Sequence, residues 1–304
     1  MIFRNYLGLD IAPGQLRAIS LRRKGSGGQL TCARILGVPA QRIVPSLREP
    51  NVTDVRGLIE NIRDVLGPLA GREDRLALSL PDATGRIILT EVEAPFKSRA
   101  EGVEILKWQL KNSLPAPSQE IRLDYQLLAK NEQGRNRVVV ALLAAKVLQQ
   151  YEEIVAAAGY GAAQIDFHCL NLYNYYRPRL DLGEDFILVG IDGGVLSLQY
   201  FEGRILAFHR SREVAPDPAG VYREVNRTLV GCRERFPRFA RATVFLHSTW
   251  EEDGQLLAAL QSAFERNPVP LQSQQEILSG HVFGRNPGEM RGLVAAVGAA
   301  ERMM

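Results

Sequence analysis

The sequence predicts a two-lobed α/β fold built by duplication. Two segments predict it, Leu7-Gly8-Leu9-Asp10-Ile11-Ala12-Pro13-Gly14 and Val189-Gly190-Ile191-Asp192-Gly193-Gly194. Each is a short apolar strand that delivers an aspartate into a turn of small residues. Each is followed by another strand, over residues 15–22 and 195–201. The unit occurs once in each half of the chain. Size and composition agree: 304 residues, 46% hydrophobic and 23% charged, supply core for about two domains of ordinary size.

Composition also excludes function classes. Lys+Arg 37 against Asp+Glu 34 leaves a charge near zero, which argues against a general nucleic-acid binder. Cys32, Cys169 and Cys232 are far apart and have no Cys-x-x-Cys or Cys/His spacing, so they read as reduced structural thiols of a cytosolic protein. The N-terminal Met1-Ile2-Phe3-Arg4-Asn5-Tyr6 runs straight into a strand, with no signal peptide expected. No apolar run approaches the ~18 residues of a membrane span.

In the first lobe, strands are expected over 6–11, 16–22 and 30–38. The basic Arg23-Lys24-Gly25-Ser26-Gly27-Gly28 lacks the Gly-Lys-Ser/Thr ending and following helix of a phosphate loop, and reads as a plain hairpin. Val55, Leu58, Ile62 and Val65 predict a helix over 54–66, with Thr53 as N-cap and Gly67 as stop. A strand over 75–80 ends at Pro81-Asp82. The stretch 84–145 then reads as strand, helix, strand, strand. Its helix starts at a capping box, Ser98 with Glu101, carries the stripe Val103, Leu106, Leu110 and Leu114, and stops at Pro115 and Pro117. The strands lie at 86–91, 121–128 and 137–145. A helix over 147–158 ends at Gly159.

The second lobe starts near Glu184, with strands over 186–191, 196–201 and 205–210. Asp217-Pro218 opens a helix whose stripe is Val221, Val225, Leu229, Cys232 and Phe236. A strand over 243–247, a helix near 252–265 and a short strand at 269–271 follow. A terminal helix over 291–301 is rich in small residues (Gly292, Ala295, Ala296, Gly298, Ala299, Ala300), which suit close packing on the first lobe.

Candidate sites follow from residue types. Asp10, with Gly14 beyond it, either helps to hold hydrated Mg²⁺ near a phosphate or closes a hairpin. Asp192 with Gly193 and Gly194 allows a phosphate-binding nest. His168, His209, His247 and His281 show no ligand spacing and read as structural. Ser79 and Ser197 lie in no nucleophile elbow. Residues 204–241 carry nine arginines. They are either a solvated face or a docking patch for an anionic surface, with Arg223, Arg227 and Arg235 as candidates.

The order of elements, with these sequences, resembles the type IV pilus assembly family PilM, one of the actin-like ATPases and similar to FtsA. The resemblance rests on Tyr6-Leu7-Gly8-Leu9-Asp10-Ile11, on Leu114-Pro115-Ala116-Pro117, on Ile121-Arg122-Leu123-Asp124-Tyr125-Gln126, and on residues 138–146 with Ala156-Ala157-Ala158-Gly159. It implies an actin-like (ribonuclease H-like) fold in which the two Asp turns face each other across a cleft and hold Mg-ATP. The implied lobes are 1–182, with an inserted subdomain at 84–145, and 183–290, with helix 291–304 packing back on the first. It also implies a cytoplasmic scaffold at the inner membrane that binds the N-terminal tail of a PilN-like membrane protein beside the inserted subdomain. Three departures point to a degenerate nucleotide site. Ala12 and Pro13 replace the usual small polar residues of the first loop, and Pro13 lacks an N–H. Val195-Leu196-Ser197 replaces a Thr-rich stretch. The bulky Val244-Phe245-Leu246-His247-Ser248-Thr249-Trp250 stands where the family has a glycine-rich turn for adenosine. The cytoplasmic domains of GspL, similar and regarded as non-catalytic, are a parallel. The alternative is an active ATPase or small-molecule kinase of the same fold.

Overall fold

The computed structural model describes residues 4–12, 14–25, 27–93, 96–131, 133–180, 183–272 and 287–304. The first lobe begins with β1 (Asn5–Ala12), β2 (Gln15–Lys24), β3 (Gly27–Gly37), α1 (Val55–Ala70) and β4 (Arg75–Leu80). Next come β5 (Arg86–Val92), α2 (Arg99–Gln109), β6 (Ile121–Lys130), β7 (Asn136–Ala144), α3 (Ala145–Ala157), β8 (Gly161–Phe167) and α4 (His168–Leu180). The remainder is β9 (Phe186–Asp192), β10 (Val195–Glu202), β11 (Ile205–Glu213), α5 (Pro218–Arg235), β12 (Thr243–Ser248), α6 (Gly254–Phe264), β13 (Val269–Pro270), α7 (Pro287–Gly292) and α8 (Val294–Glu301).

The duplication is visible in the sheets. One has the order β3-β2-β1-β4-β8 and the other β11-β10-β9-β12-β13. In each, an antiparallel three-strand meander is extended by two parallel strands. Inserted along the chain between β4 and β8 is a three-stranded sheet, β5-β7-β6, on which α2 packs through Leu106, with Leu110 just past its end. This is the actin-like two-lobed fold with the expected strand–helix–strand–strand insertion.

Three apolar layers hold the sheets. On one side of the first sheet α1 and α3 bury Leu58, Ile62, Val147 and Tyr151 against Leu7, Leu9 and Ile11. On the outer side of the second sheet α5 and α6 bury Val221, Val225, Leu256 and Leu260. Helices α4 and α8 lie between the two sheets, where Tyr175, Tyr176, Val294 and Val297 meet Ile19 and Leu21 of one and Phe186 and Phe201 of the other. The small residues of α8 are what let it enter. A Cβ on Gly8 would come 2.1 Å from the Ala296 carbonyl oxygen, and one on Gly298 would come 2.0 Å from that of Asn171 in α4.

Several elements differ from the sequence reading. Helix α1 is capped by Asp54, whose side chain accepts from Gly57 N, rather than by Thr53. It runs through Gly67 and Pro68 to Ala70, because Leu69 and Ala70 are buried. Pro68 cannot donate to the Asp64 carbonyl; Arg34 does so from β3 instead, at 2.7 Å. Helix α2 stops at Gln109 and a short 3-10 turn precedes Leu114. The terminal helix is two helices, α7 and α8. Strand β8 and helix α4 have no counterpart in the elements read from sequence. The Ser98 cap is present: its hydroxyl accepts from Glu101 N at 3.1 Å, and Glu101 accepts from Lys97 N.

Two glycine substitutions separate packing from propensity. Gly298→Ala drives a methyl into backbone and is expected to cost ~2 kcal/mol in urea unfolding. Gly231→Ala, on the exposed face of α5 with nothing within 4 Å of the new atom, is expected to stabilise by up to ~1 kcal/mol.

Candidate functional site

Six side chains meet at one point between the lobes, most of them placed by strand pairing within their own sheet. The β1–β2 turn pairs Ala12 with Gln15, which sets Asp10 opposite Arg17 on the same face of the sheet. Parallel pairing of β1 with β4 sets Ser79 beside Asp10. Strand β8 passes directly into α4, whose first residue is His168. From the other lobe, β9 ends at Asp192, and the pairing of Ile191 with Ser248 places Thr249 next to it.

Arg17 is the centre of the cluster and is only 6% exposed. Its two terminal nitrogens donate to the two oxygens of Asp192 at 2.6 and 2.8 Å, the bidentate geometry of the strongest guanidinium–carboxylate pairs. One of them also lies 3.3 Å from Asp10 Oδ2. Asp10, fully buried, accepts from the Ser79 hydroxyl at 2.6 Å and from His168 Nδ1 at 3.0 Å. His168 Nε2 is 3.6 Å from Asp192. Thr249 donates to Asp192 at 3.1 Å and accepts from Gly193 N at 3.1 Å. Burial works against the charges of Arg17, His168 and Asp192, and the pairing overrides it. Burial alone would lower His168, but Asp10 and then Asp192 and Asp82 raise it to about 9. Burial would raise Asp192, but the Arg17 charge and hydrogen bonds hold it well below the ordinary carboxylate range. Burial, then the His168 cation, push His247 down to about 3. At neutral pH, then, the Arg17 and His168 cations face the Asp192 carboxylate, with a neutral His247 behind them whose Nδ1 lies 3.0 Å from the Tyr176 hydroxyl.

The sequence-predicted residues divide. Asp10 and Asp192 come together as expected, and among the described residues the ligand atoms of Asp10, His168 and Asp192 lie within 4.8 Å of one another. Gly14 and Gly193 take the left-handed conformation of their turns, at φ 84° and 55°. Gly193 and Gly194 are engaged within the protein: the Gly193 carbonyl accepts from Trp250 Nε1 at 2.9 Å, and that of Gly194 from Val214 N at 2.8 Å. Arg291 fastens the Ser248–Trp250 segment, donating to the Ser248 carbonyl at 2.5 Å and to that of Trp250, and pairing with Asp253. Pro13 and His281 lie outside the described residues. Arg223, Arg227 and Arg235 are exposed on α5, far in sequence from this cluster. Arg17 and the bridging position of His168 escaped the sequence reading. The signal was available for Arg17: with Ala12 paired to Gln15, the register makes Arg17 the cross-strand partner of Asp10.

Two openings lie apart from these side chains. One, of about 700 Å³, lies between the lobes on the β11 side; Asp82, Arg86, His209 and Arg212 line it, and Ser211 donates to Asp82 across it at 3.0 Å. The other, a groove of about 360 Å³, separates β6 and β7 from β8 and has Leu123, Leu143, Ala162, Ile165 and Phe167 in its walls.

The His168 shift fixes a pH dependence. Its folded pKa, about 9, lies above the ordinary 6.5, so its pairing stabilises fully below about pH 6.5 and is lost as pH rises through 9. Asp192 acts in the opposite sense, its contribution being present above the ordinary 3.8 and lost as pH falls. Urea unfolding from pH 6 to 9.5 is expected to show the stability gap between the wild type and His168→Gln closing as pH rises.

No known protein family matches the chain, and no curated protein matches it in sequence. Solved structures do. A PilM-PilN type IV pilus biogenesis complex matches with TM-score 0.79 at 16% identity, over 98% of this chain and 98% of that one. A Bacteroides thetaiotaomicron protein with an actin-like ATPase fold and unknown function matches with TM-score 0.54 at 12% identity, over 95% of each chain. The ethanolamine utilization protein EutJ from Carboxydothermus hydrogenoformans matches with TM-score 0.52 at 11% identity, over 99% of this chain and 90% of that one. In fold, therefore, the chain is actin-like and similar to PilM throughout its length.

Proposed function

We propose that the chain is a PilM-like scaffold of a type IV pilus or related secretion machine, and that it binds the cytoplasmic tail of a PilN-like inner-membrane protein. The observation that carries this reading is the groove between β6 and β8. Both strands are the outermost of their sheets, so the groove has backbone donors and acceptors along its sides and an apolar lining between them. An extended peptide fits such a place by strand addition, with alternate side chains entering the apolar floor. No described helix is long and apolar enough to cross a membrane; a membrane partner would supply the anchor.

In this reading the cleft between the lobes does not take Mg-ATP. Hydrated Mg²⁺ needs carboxylates with free lone pairs. Here the oxygens of Asp10 and Asp192 already accept from Arg17, Ser79, His168 and Thr249, and the Gly193 N–H of the second turn is held by Thr249. The donor set fits a guanidinium rather than a metal–phosphate group. The alternative, an active ATPase or kinase, requires Arg17 to leave.

One calorimetric series tests both parts. The N-terminal tail peptide of a PilN-like inner-membrane protein is expected to bind, and Leu143→Asp with Ala162→Glu to weaken it at least ~10-fold, about 1.4 kcal/mol. Unchanged affinity in that variant removes the groove from the reading. Mg-ATP is expected to give no binding heat; micromolar affinity abolished by Asp192→Ala would instead favour the ATPase.

The exposed arginines of α5 suit a second, weaker contact with anionic lipid. Arg223 and Arg227 are one helical turn apart, with the 66% exposed Val230 on the same face. Arg227 shares Glu224 with Arg210, at 2.9 and 2.6 Å, and Arg235 lies over the Phe236 ring. Each exposed arginine near such a surface contributes about 1 kcal/mol, less for Arg227 because Glu224 offsets it. Charge reversal of Arg223, Arg227 and Arg235 together is expected to abolish salt-sensitive liposome binding; if binding is unchanged, the face is merely solvated.

A further inference from the structure

We propose that the outer edge of β11, where it borders the larger opening, is a docking site for an acidic, extended segment of a protein partner, held by strand addition. The site is separate from the groove between β6 and β8 and uses none of the α5 arginines.

The edge itself comes first. Among the described residues β11 ends its sheet and pairs with β10 alone, so half of its N–H and C=O groups face away from any strand. Five consecutive residues, His209 to Glu213, line the opening of about 700 Å³. Neighbouring side chains of a strand point to opposite faces, so an unbroken run in one wall is the side of the strand and not a face of the sheet. The run offers about 15 Å of edge. Also in the lining are Gly85, Arg86 and Ile87, around the start of β5, itself the outermost strand of the β5-β7-β6 sheet. The β11 edge is anchored: Ser211 donates to Asp82 at 3.0 Å, and Asp82 also accepts from Cys169 N at 2.9 Å, so this carboxylate is satisfied within the protein. Half-buried Leu47, Ile87 and Val195 supply apolar lining.

Charge selects the guest. Arg86 and Arg212 are exposed in the opening, and neither pairs with a carboxylate among the described residues. Arg86 donates to the Ser113 carbonyl at 2.7 Å. Arg212 donates to the Ser211 carbonyl at 3.4 Å, a long contact that is readily given up. Arg210, by contrast, is held by Glu224 at 3.1 and 2.6 Å. Two guanidinium groups without a counter-ion therefore stand against the exposed Glu213. The same charges disfavour a second copy of this chain. An antiparallel self-pair centred on Ser211 sets Arg210 against Arg212, and a parallel in-register one sets Arg212 against itself. A guest strand with Asp or Glu among apolar residues suits both the arginines and the apolar lining.

The test starts from a random seven-residue peptide library displayed on phage and selected on the immobilised full chain. Enriched peptides are labelled with a fluorophore and titrated by anisotropy. They are expected to carry two or more Asp or Glu residues among apolar ones. Arg86→Gln with Arg212→Gln, both at exposed positions, is expected to keep the melting temperature and to weaken binding at least tenfold. Leu143→Asp with Ala162→Glu, in the β6–β8 groove, is expected to leave it unchanged. Methylating the peptide's backbone nitrogens one at a time should abolish binding at alternate residues only, the signature of strand pairing. Amide hydrogen exchange should slow over residues 205–213 when the peptide is bound. No enrichment, enrichment of peptides without acidic residues, undiminished affinity in the double arginine variant, N-methyl effects that do not alternate, or slowed exchange over β6 and β8 in place of β11 each overturns the proposal. Self-association that protects β11 without peptide gives the edge to a second copy, and protection by phosphatidylserine vesicles with no acidic peptide enriched gives it to lipid; either result also overturns it.

Discussion

The pairing of Arg17 with Asp192 is the contact on which the arrangement of the cleft depends. Here a strand of the first sheet is hydrogen-bonded through a charged side chain to the turn after β9 in the second, and Asp10, His168, Ser79 and Thr249 are all oriented around it. Buried ion pairs of this kind seldom add much net stability, because removing two charges from water costs nearly what their attraction returns. What they add is specificity. A bidentate fork has one geometry, so it fixes the rotation of one lobe against the other, where an apolar contact would tolerate a range.

The lobes are joined in two physically different ways. At the base, α4 and α8 form an apolar layer common to both sheets, with Phe186 and Phe201 stacked 4.5 Å apart at its edge. In the cleft the link is ionic. The apolar layer is little affected by pH, whereas the link in the cleft depends on the protonation of its side chains. A ligand that closes a cleft acts by mass action and adds stability in proportion to the logarithm of its concentration. A side chain of the same polypeptide has no concentration to vary, so this link does not depend on the supply of a ligand.

Much of this fold is legible in the sequence because its strands are short, apolar and punctuated. The repeated strand–Asp–turn unit gives the duplication, and the stripes of α1 and α5 give the layers that cover the sheets. Pattern fails where tertiary context supplies what the local sequence lacks. Gly67-Pro68 reads as the end of a helix, yet α1 continues because Arg34, from another element, takes up the carbonyl that proline leaves. Strand β8 is partly exposed along most of its length, and α4 starts at a histidine with no capping residue, so neither presents a recognisable start. The two aspartates of the candidate site are visible as turn residues. Arg17 is one polar residue in a run of buried ones, Leu16, Ala18, Ile19, Ser20 and Leu21, and is found only by counting register back through the turn to Asp10.

The groove beside the insertion has a further consequence, for the behaviour of the free protein. A sheet edge that can accept a guest strand can also accept a second copy of its own, which is how edge strands begin aggregates. Here the two edges are guarded without being closed. Strand β6 carries Arg122, Asp124 and Gln126 on its exposed face, and β8 is only seven residues long, with Gln164 and Asp166 near its end and Arg302 paired to Asp166. In a parallel, in-register self-pair like charges would meet and repel, while a guest with its own sequence need not repeat them. The edge can therefore stay available to one visitor and unattractive to its twin.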